Sequence, residues 1–331
     1  MNIKKIKEII ESIAPEVLDL KEIRVKSFKK LGVGEGNINY VFVLGGKKFI
    51  CRINLEVSVP EKSEREYNFL KTIENLKIAP KVYFLHKKNG IFGSDFIILD
   101  FIEGDVWRSR KRTYTDTQIK RLARAMGNLH KTKIASLKKE EYEYSDYLIG
   151  IKKHIEDIVG YAGKKYLKDL MKIHDTVRAQ IPKEEKHRFS LIHDDLCPQN
   201  IVEHKEGVEI IDWESGKFSD PAKDVSHILT DFELKGKDLD LFLAEYLKLN
   251  RDKDILERVR VYDLLNRLVY FVWEIVRSFE IINKELPKEY LAKTTAESHI
   301  NEAKFQFRKL RELVDVGELD VDCFFEGVKV K

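Results

Sequence analysis

The chain has 331 residues, of which 43% are hydrophobic and 35% charged, and its formal net charge is +4. Such a length suggests about two domains and a sizeable core. The composition is that of a soluble globular protein, and so mild a charge neither requires nor excludes a nucleic-acid partner.

Ile3, Ile6, Ile9, Ile10 and Ile13 recur at helical spacing, and Pro15 is expected to end that helix. This opening alternates Lys and Glu with Ile and has no continuous apolar run, so it does not read as a signal peptide. From residue 21 to 55 the period is that of strands. Ile23 to Phe28 alternates, Gly32, Gly34 and Gly36 follow, and Ile38 to Leu44 forms a second strand. Gly45-Gly46 marks a two-residue hairpin turn, from which Lys48 to Leu55 runs back. An amphipathic helix over 61–76 and strands over 81–85 and 96–101 complete a five-stranded, mostly antiparallel sheet crossed by one helix.

Ile102-Glu103-Gly104 reads as a connector. Beyond it the pattern predicts helices over about 116–135, 145–161, 164–180, 224–233, 237–249, 252–280 and 296–314. Hairpin-like strands at 188–212 interrupt them. The most apolar stretch, Leu264 to Val276, is broken by Asn266, Arg267 and Glu274, so no membrane span is expected. The predicted fold is α+β and bilobal. A β-rich lobe over residues 1–101 precedes a larger, mostly helical lobe over 102–331, with a cleft between them. Cys51, Cys197 and Cys323 are scattered, with no C-x-x-C, and read as free thiols of a reducing, cytoplasmic compartment. Gln occurs only four times and Met three, against abundant Lys and Glu, a usage shared by thermophiles and AT-rich genomes.

The chemistry concentrates in residues 191–212, LIHDDLCPQNIVEHKEGVEIID. An apolar run from Phe189 to Ile192 delivers His193 and Asp195. A short loop turned by Pro198 ends at Asn200, and a β-hairpin delivers Asp212. Phosphoryl transfer from a nucleoside triphosphate needs this set. One carboxylate positions the accepting hydroxyl and takes its proton, and two oxygen donors hold Mg²⁺ on the phosphates. Such chemistry asks for placement and charge neutralisation, which strand ends supply.

Other residues extend the pattern. Gly32, Gly34 and Gly36 lie between two strands rather than before a helix. That argues against a dinucleotide fold and suits either a phosphate-covering flap or an ordinary turn. No P-loop sequence is present. Arg52 lies mid-strand among apolar neighbours and needs a partner or a ligand. Glu66, in the crossing helix, is its candidate partner; an edge-strand arginine facing water is the alternative. His193 suits a structural hydrogen bond to the loop better than a base. It could also belong to a metal-dependent phosphohydrolase motif, although such sites want more histidines on helices. Asp224, in Asp220-Pro221-Ala222-Lys223-Asp224, either favours a helix start or braces the catalytic loop.

Together these residues resemble the aminoglycoside phosphotransferase and choline kinase family, the small-molecule branch of the protein-kinase-like fold, over roughly residues 20–280. The pattern H-x-D-x-x-x-x-N, then a strand and I-D-W/F, is met by His193, Asp195, Asn200 and Asp212-Trp213-Glu214. Asp220, Pro221 and Asp224 match its D-P-x-x-D, Leu129-His130 its helix-ending L-H, and Glu66 with Pro80-Lys81-Val82-Tyr83 its helix glutamate and following strand. The resemblance implies Asp195 as base, with His193 and Asp224 supporting its loop, and Asn200 and Asp212 as Mg²⁺ ligands. It implies Arg52 and Glu66 at the phosphates, Gly34, Gly36 and Asn37 in the covering flap, and Asp100, Phe101 and Ile102 at the adenine. The nucleotide, ATP or GTP, is left open. Asp194 stands where the family usually has Gly, and Arg52 where many members have Lys; arginine keeps the charge and adds a fork suited to phosphate.

The acceptor is less legible. Tyr270, Trp273 and Glu274, with Glu214, would suit an amine or quaternary ammonium, yet an aromatic stripe at helical spacing also describes a core. The basic run Arg108 to Arg112 is either a solvated face or a contact for an anionic acceptor. The expected activity is phosphorylation of a hydroxyl on a small polar metabolite such as an amino-alcohol, amino sugar or sugar. A kinase of RNA or protein and a silent nucleotide-binding module are the rivals. Only seven residues separate Asp212 from Asp220, too few for the docking segment that protein substrates use. Monomer and homodimer are both compatible with the sequence.

Overall fold

The computed structural model describes residues 3–21, 24–33, 37–55, 62–88, 93–107, 113–132, 144–181, 189–252, 254–286, 288–292 and 294–326. In chain order the β-rich part holds α1 (Ile3–Val17), β1 (Ser27–Val33), β2 (Asn37–Leu44), β3 (Lys47–Asn54), α2 (Lys62–Ile73), β4 (Val82–His86) and β5 (Phe96–Asp100). Strand order is β1-β2-β3-β5-β4, and every pairing is antiparallel. The expected five-stranded sheet with its helix is present. Gly45 and Gly46 have φ of 57° and 78°, and Leu44 faces Lys47 in register, so the hairpin is the tight left-handed turn that paired glycines favour.

Two expectations are corrected. The first helix continues past Pro15 to Val17, because a proline in the last turn removes only its own N–H from the ladder. The first strand begins at Ser27, within the alternating run Ile23 to Phe28; of that run's earlier residues Ile23 lies outside the described residues, and Lys26 donates to the Val43 carbonyl at 3.0 Å. Helix α1 lays Ile6, Ile10 and Ala14 on one face of the sheet, against Phe42, Leu44 and Phe49. Rings stack along that face, Phe28 on Tyr40 at 4.9 Å and Phe42 on Phe49 at 5.4 Å.

After the connector come β6 (Asp105–Val106), α3 (Asp116–His130), α4 (Tyr144–Ala162), α5 (Leu167–Arg178), β7 (Ser190–Ile192), β8 (Ile201–Glu203), β9 (Val208–Ile210), β10 (Lys217–Ser219), α6 (Ala222–Thr230), α7 (Lys237–Leu247), α8 (Ile255–Ile282), α9 (Lys288–Leu291) and α10 (Ala296–Leu313). Helix α3 opens on a capping box in which Thr115 and Gln118 exchange side-chain-to-backbone hydrogen bonds.

The chain divides into two compact units. One comprises residues 1–131, 193–217 and 240–249, and the other 132–192, 218–239 and 250–331. The connector and the 193–212 segment therefore belong to the unit that holds the five-stranded sheet. Strand β6 pairs with β8, and β8 with β9, in a second small sheet. Glu203 at the end of β8 accepts hydrogen bonds from Trp107 (3.1 Å), Gln118 (2.5 Å) and Arg121 (3.3 Å), tying α3 to that sheet. Gly104 has no room for a side chain, since a Cβ there would lie 2.4 Å from the Glu203 carbonyl oxygen. In the second unit α8 is the central element, with Tyr262, Phe271 and Ile275 fully buried along it.

Candidate active site

The 193–212 segment is held by hydrogen bonds between its own parts. His193 has no exposed surface. Its Nε2 lies 3.0 Å from the Ile211 carbonyl, and the Asp195 backbone N–H donates to its Nδ1 at 3.3 Å. A carbonyl only accepts, so the ring is the neutral tautomer with its proton on Nε2. Both nitrogens thus serve the backbone on either side of Asp195 and Asp212. Trp213 packs edge-on to the ring at 4.6 Å and donates its indole N–H to the Ile210 carbonyl at 2.6 Å.

Asn200 closes the loop. Its Nδ2 donates to the Asp195 carbonyl at 2.9 Å, and its own carbonyl accepts from the Ile211 N–H at 2.8 Å. A planar carboxamide fixed by its nitrogen presents its oxygen the other way. Asp212 follows Ile211 in left-handed backbone, φ 69° and ψ 61°. Asp195, Asn200 and Asp212 are thereby linked within one hydrogen-bonded segment.

Arg52 meets this segment. It stands on β3, which pairs on both sides, so it is not the edge-strand arginine of the alternative reading. It is 7% exposed. Its Nε lies 3.2 Å from Glu66, an ion-pair contact, while its Nη2 pairs with Asp212 and, at 2.8 Å, with Glu214. Lys62 adds a second cation 3.0 Å from Glu214, and Asn37 donates to the same carboxylate. Burial works against a charge on Arg52, but Glu66, Asp212 and Glu214 outweigh it and hold the guanidinium protonated beyond its ordinary range. Burial also raises Glu66, to about 7, against the pull of Arg52. For Glu214 burial is outweighed by Arg52 and Lys62, and its pKa falls.

A cavity of about 290 Å³ opens beside this cluster within the same unit. Ile50, Leu99, Val202 and Ile211 give it apolar walls, and Arg52 and Asp212 a charged end. Asp100, Phe101, Ile102 and Glu66 are also among its lining residues. Such a slot accepts a flat ring at one end and an anion at the other. A wider surface depression along residues 168–180 holds none of the candidate residues.

The remaining candidates fall elsewhere. Gly34, Gly36 and the basic run 108–112 lie outside the described residues. Asp224 is fully buried in the first turn of α6, in the second unit. Its neighbour Asp220 accepts from the Ala222 N–H at 2.9 Å and pairs with Arg258 at 2.7 Å. On α8, Tyr270 donates to Asp231 at 3.3 Å, and Glu274 pairs with His299 at 2.5 Å beside the Trp273 ring. Glu214, the fourth acceptor candidate, is bound to Arg52 and Lys62 in the first unit. Sequence reasoning missed Lys62 and Lys217, whose partners are far away in the chain.

The sequence model of the phosphotransferase enzyme family matches residues 27–262, more than half of the chain. The chain belongs to that family. It is a phosphotransferase, an enzyme acting on hydroxyl groups, and the resemblance read from His193, Asp195, Asn200 and Asp212 holds. No curated protein sequence matches this phosphotransferase. Among solved structures it is similar to choline kinase from Cryptosporidium parvum Iowa II (17% identity, 97% of this chain and 99% of that one, TM-score 0.66). It is also similar to choline kinase LicA from Streptococcus pneumoniae (19%, 93% and 99%, 0.63). A third is spectinomycin phosphotransferase APH(9)-Ia, solved with ADP and spectinomycin (15%, 96% and 97%, 0.62). At these identities the likeness shows a shared kinase-like α+β fold. Among the described residues, no helix is long and apolar enough to cross a membrane, and no cluster of three or more His, Cys, Asp or Glu residues suits a metal.

Proposed function

We propose that this phosphotransferase is an ATP- and magnesium-dependent kinase of a small polar metabolite bearing a hydroxyl. The observation that carries the reading is the Asn200–Asp195 tie beside an Arg52–Asp212 pair at the charged end of an apolar slot. ATP fits that slot, with its ring between the apolar walls near Asp100, Phe101 and Ile102 and its phosphates toward Arg52. Asn200 and Asp212 offer the hard oxygen atoms that magnesium takes, few in number because phosphates and water complete its shell. Magnesium, when bound, neutralises charge developing on the transferred phosphoryl group.

In this reading the Asp195 carboxylate orients the acceptor hydroxyl and receives its proton. His193 keeps the Asp195 backbone in place, and Arg52, aligned by Glu66, holds the phosphates. We assign Glu214 to the nucleotide end and keep Tyr270, Trp273 and Glu274 as the candidates for recognising the acceptor. The choline kinases and the spectinomycin phosphotransferase above support an amino-alcohol or amino sugar. The three free cysteines, Cys51 buried, support a reducing, cytoplasmic setting.

ATP turnover against amino-alcohols, amino sugars, aminoglycosides, sugars and tRNA tests the reading. Turnover with one of the small molecules is expected; turnover with RNA alone would overturn it.

A further inference from the structure

Asp194 stands between His193 and Asp195 with φ of 63°, in the left-handed region where glycine is the easier residue. Its carboxylate is ion-paired with Lys217 Nζ, and the two side chains are only 11% and 12% exposed. Asp194 directly precedes Asp195 in the chain, and Lys217 lies five residues beyond Asp212. The pair therefore brackets the three oxygen-bearing residues. Lys217 thus sets a cation against a carboxylate that directly precedes Asp195 in the chain. Arg52 serves other acids, Glu66, Asp212 and Glu214. The other lysine of the 193–217 segment, Lys205, is exposed in the β8–β9 turn.

We propose that Lys217 is a positioning residue for phosphoryl transfer. It is a tethered cation that neutralises Asp194, fixes the turn presenting Asp195, and so eases the approach of an incoming triphosphate. This rests on the kinase reading above and accounts for an acid where a glycine would fold more easily.

The test is calorimetric binding of Mg-ATP and, separately, of adenosine, which has the ring without the charge. K217M should weaken Mg-ATP about ten-fold and leave adenosine within about two-fold. The charge-free double variant D194G/K217M should return Mg-ATP to within about three-fold of the wild type. Wild-type Mg-ATP affinity in K217M overturns the proposal, and so does a double variant as weak as K217M. Should K217M not fold, D194N carries the test. Asparagine tolerates the turn and leaves the cation, so Mg-ATP should bind at least as tightly as to the wild type, and weaker binding overturns the proposal. A wild-type protein that binds neither Mg-ATP nor adenosine removes the kinase reading, and this proposal with it.

Discussion

Asn200 and Asp195 are joined by one hydrogen bond, from the amide nitrogen of the first to the backbone carbonyl of the second, at 2.9 Å. In the proposed reading, the base and the oxygen donor are thus set relative to each other before any ligand arrives. Two substitutions separate their tasks. Asp195→Asn removes the proton acceptor and keeps the loop, so turnover should fall by about 10²–10⁴ with the melting temperature unchanged. Asn200→Ala removes the tie as well as the oxygen, and should cost about 1 kcal/mol in chemical denaturation besides abolishing turnover. Equal stability losses in the two variants would contradict this division.

Arg52 is buried, and it brings Asp212 and Glu214 together with Glu66. Arg52→Met leaves the buried Glu66 and the part-exposed Asp212 without this cation, while Glu214 keeps Lys62, and should destabilise the fold by roughly 3 kcal/mol. Arg52→Lys keeps one charge but lacks the fork, so it should fold and bind Mg-ATP about ten-fold more weakly. Denaturant midpoints and nucleotide titration check the pair; a lysine variant with unaltered affinity would show that the fork is unnecessary.

The pH behaviour follows from Glu66. Burial lifts its carboxyl from 4.5 to about 7. The folded chain thus binds this proton more tightly than the unfolded chain. Its stabilising contribution is complete below about pH 4.5 and is lost as pH rises through 7. Glu66→Gln carries a permanent neutral amide and should flatten the decline of melting temperature between those limits. The same slope in both proteins would refute the assignment.

Gly104 tests the packing of the connector. A methyl group there would press on the Glu203 carbonyl at 2.4 Å, a backbone atom with little freedom to yield. Gly104→Ala should therefore lower stability by roughly 1–3 kcal/mol. A melting temperature equal to that of the wild type would mean that the connector gives way more easily than its packing suggests.

Much of this was legible in the chain because it is local. The Gly45-Gly46 turn, the alternation of β2 and β3, and the spacing of Asp195, Asn200 and Asp212 depend on near neighbours. What escaped notice depends on distant ones. Lys62 meets Glu214, and Lys217 meets Asp194, through the tertiary fold rather than through any periodicity. Strand β6 is two residues long, too short for an alternation to show, and exists because β8 offers it an edge. The left-handed backbone at Asp194 and Asp212 has no sequence mark either, since aspartate adopts it only where its surroundings require it.

The small sheet of β6, β8 and β9 places the connector and the Asn200–Asp212 hairpin in one compact body with the five-stranded sheet. For an engineer, the residues proposed to bind the nucleotide then form a single cassette. The segment bearing Tyr270, Trp273 and Glu274 lies in the other body and offers itself for exchange. Under the proposed assignment of the acceptor to that segment, grafting it from a relative would be a route to new acceptors that leaves the proposed phosphate-binding residues untouched.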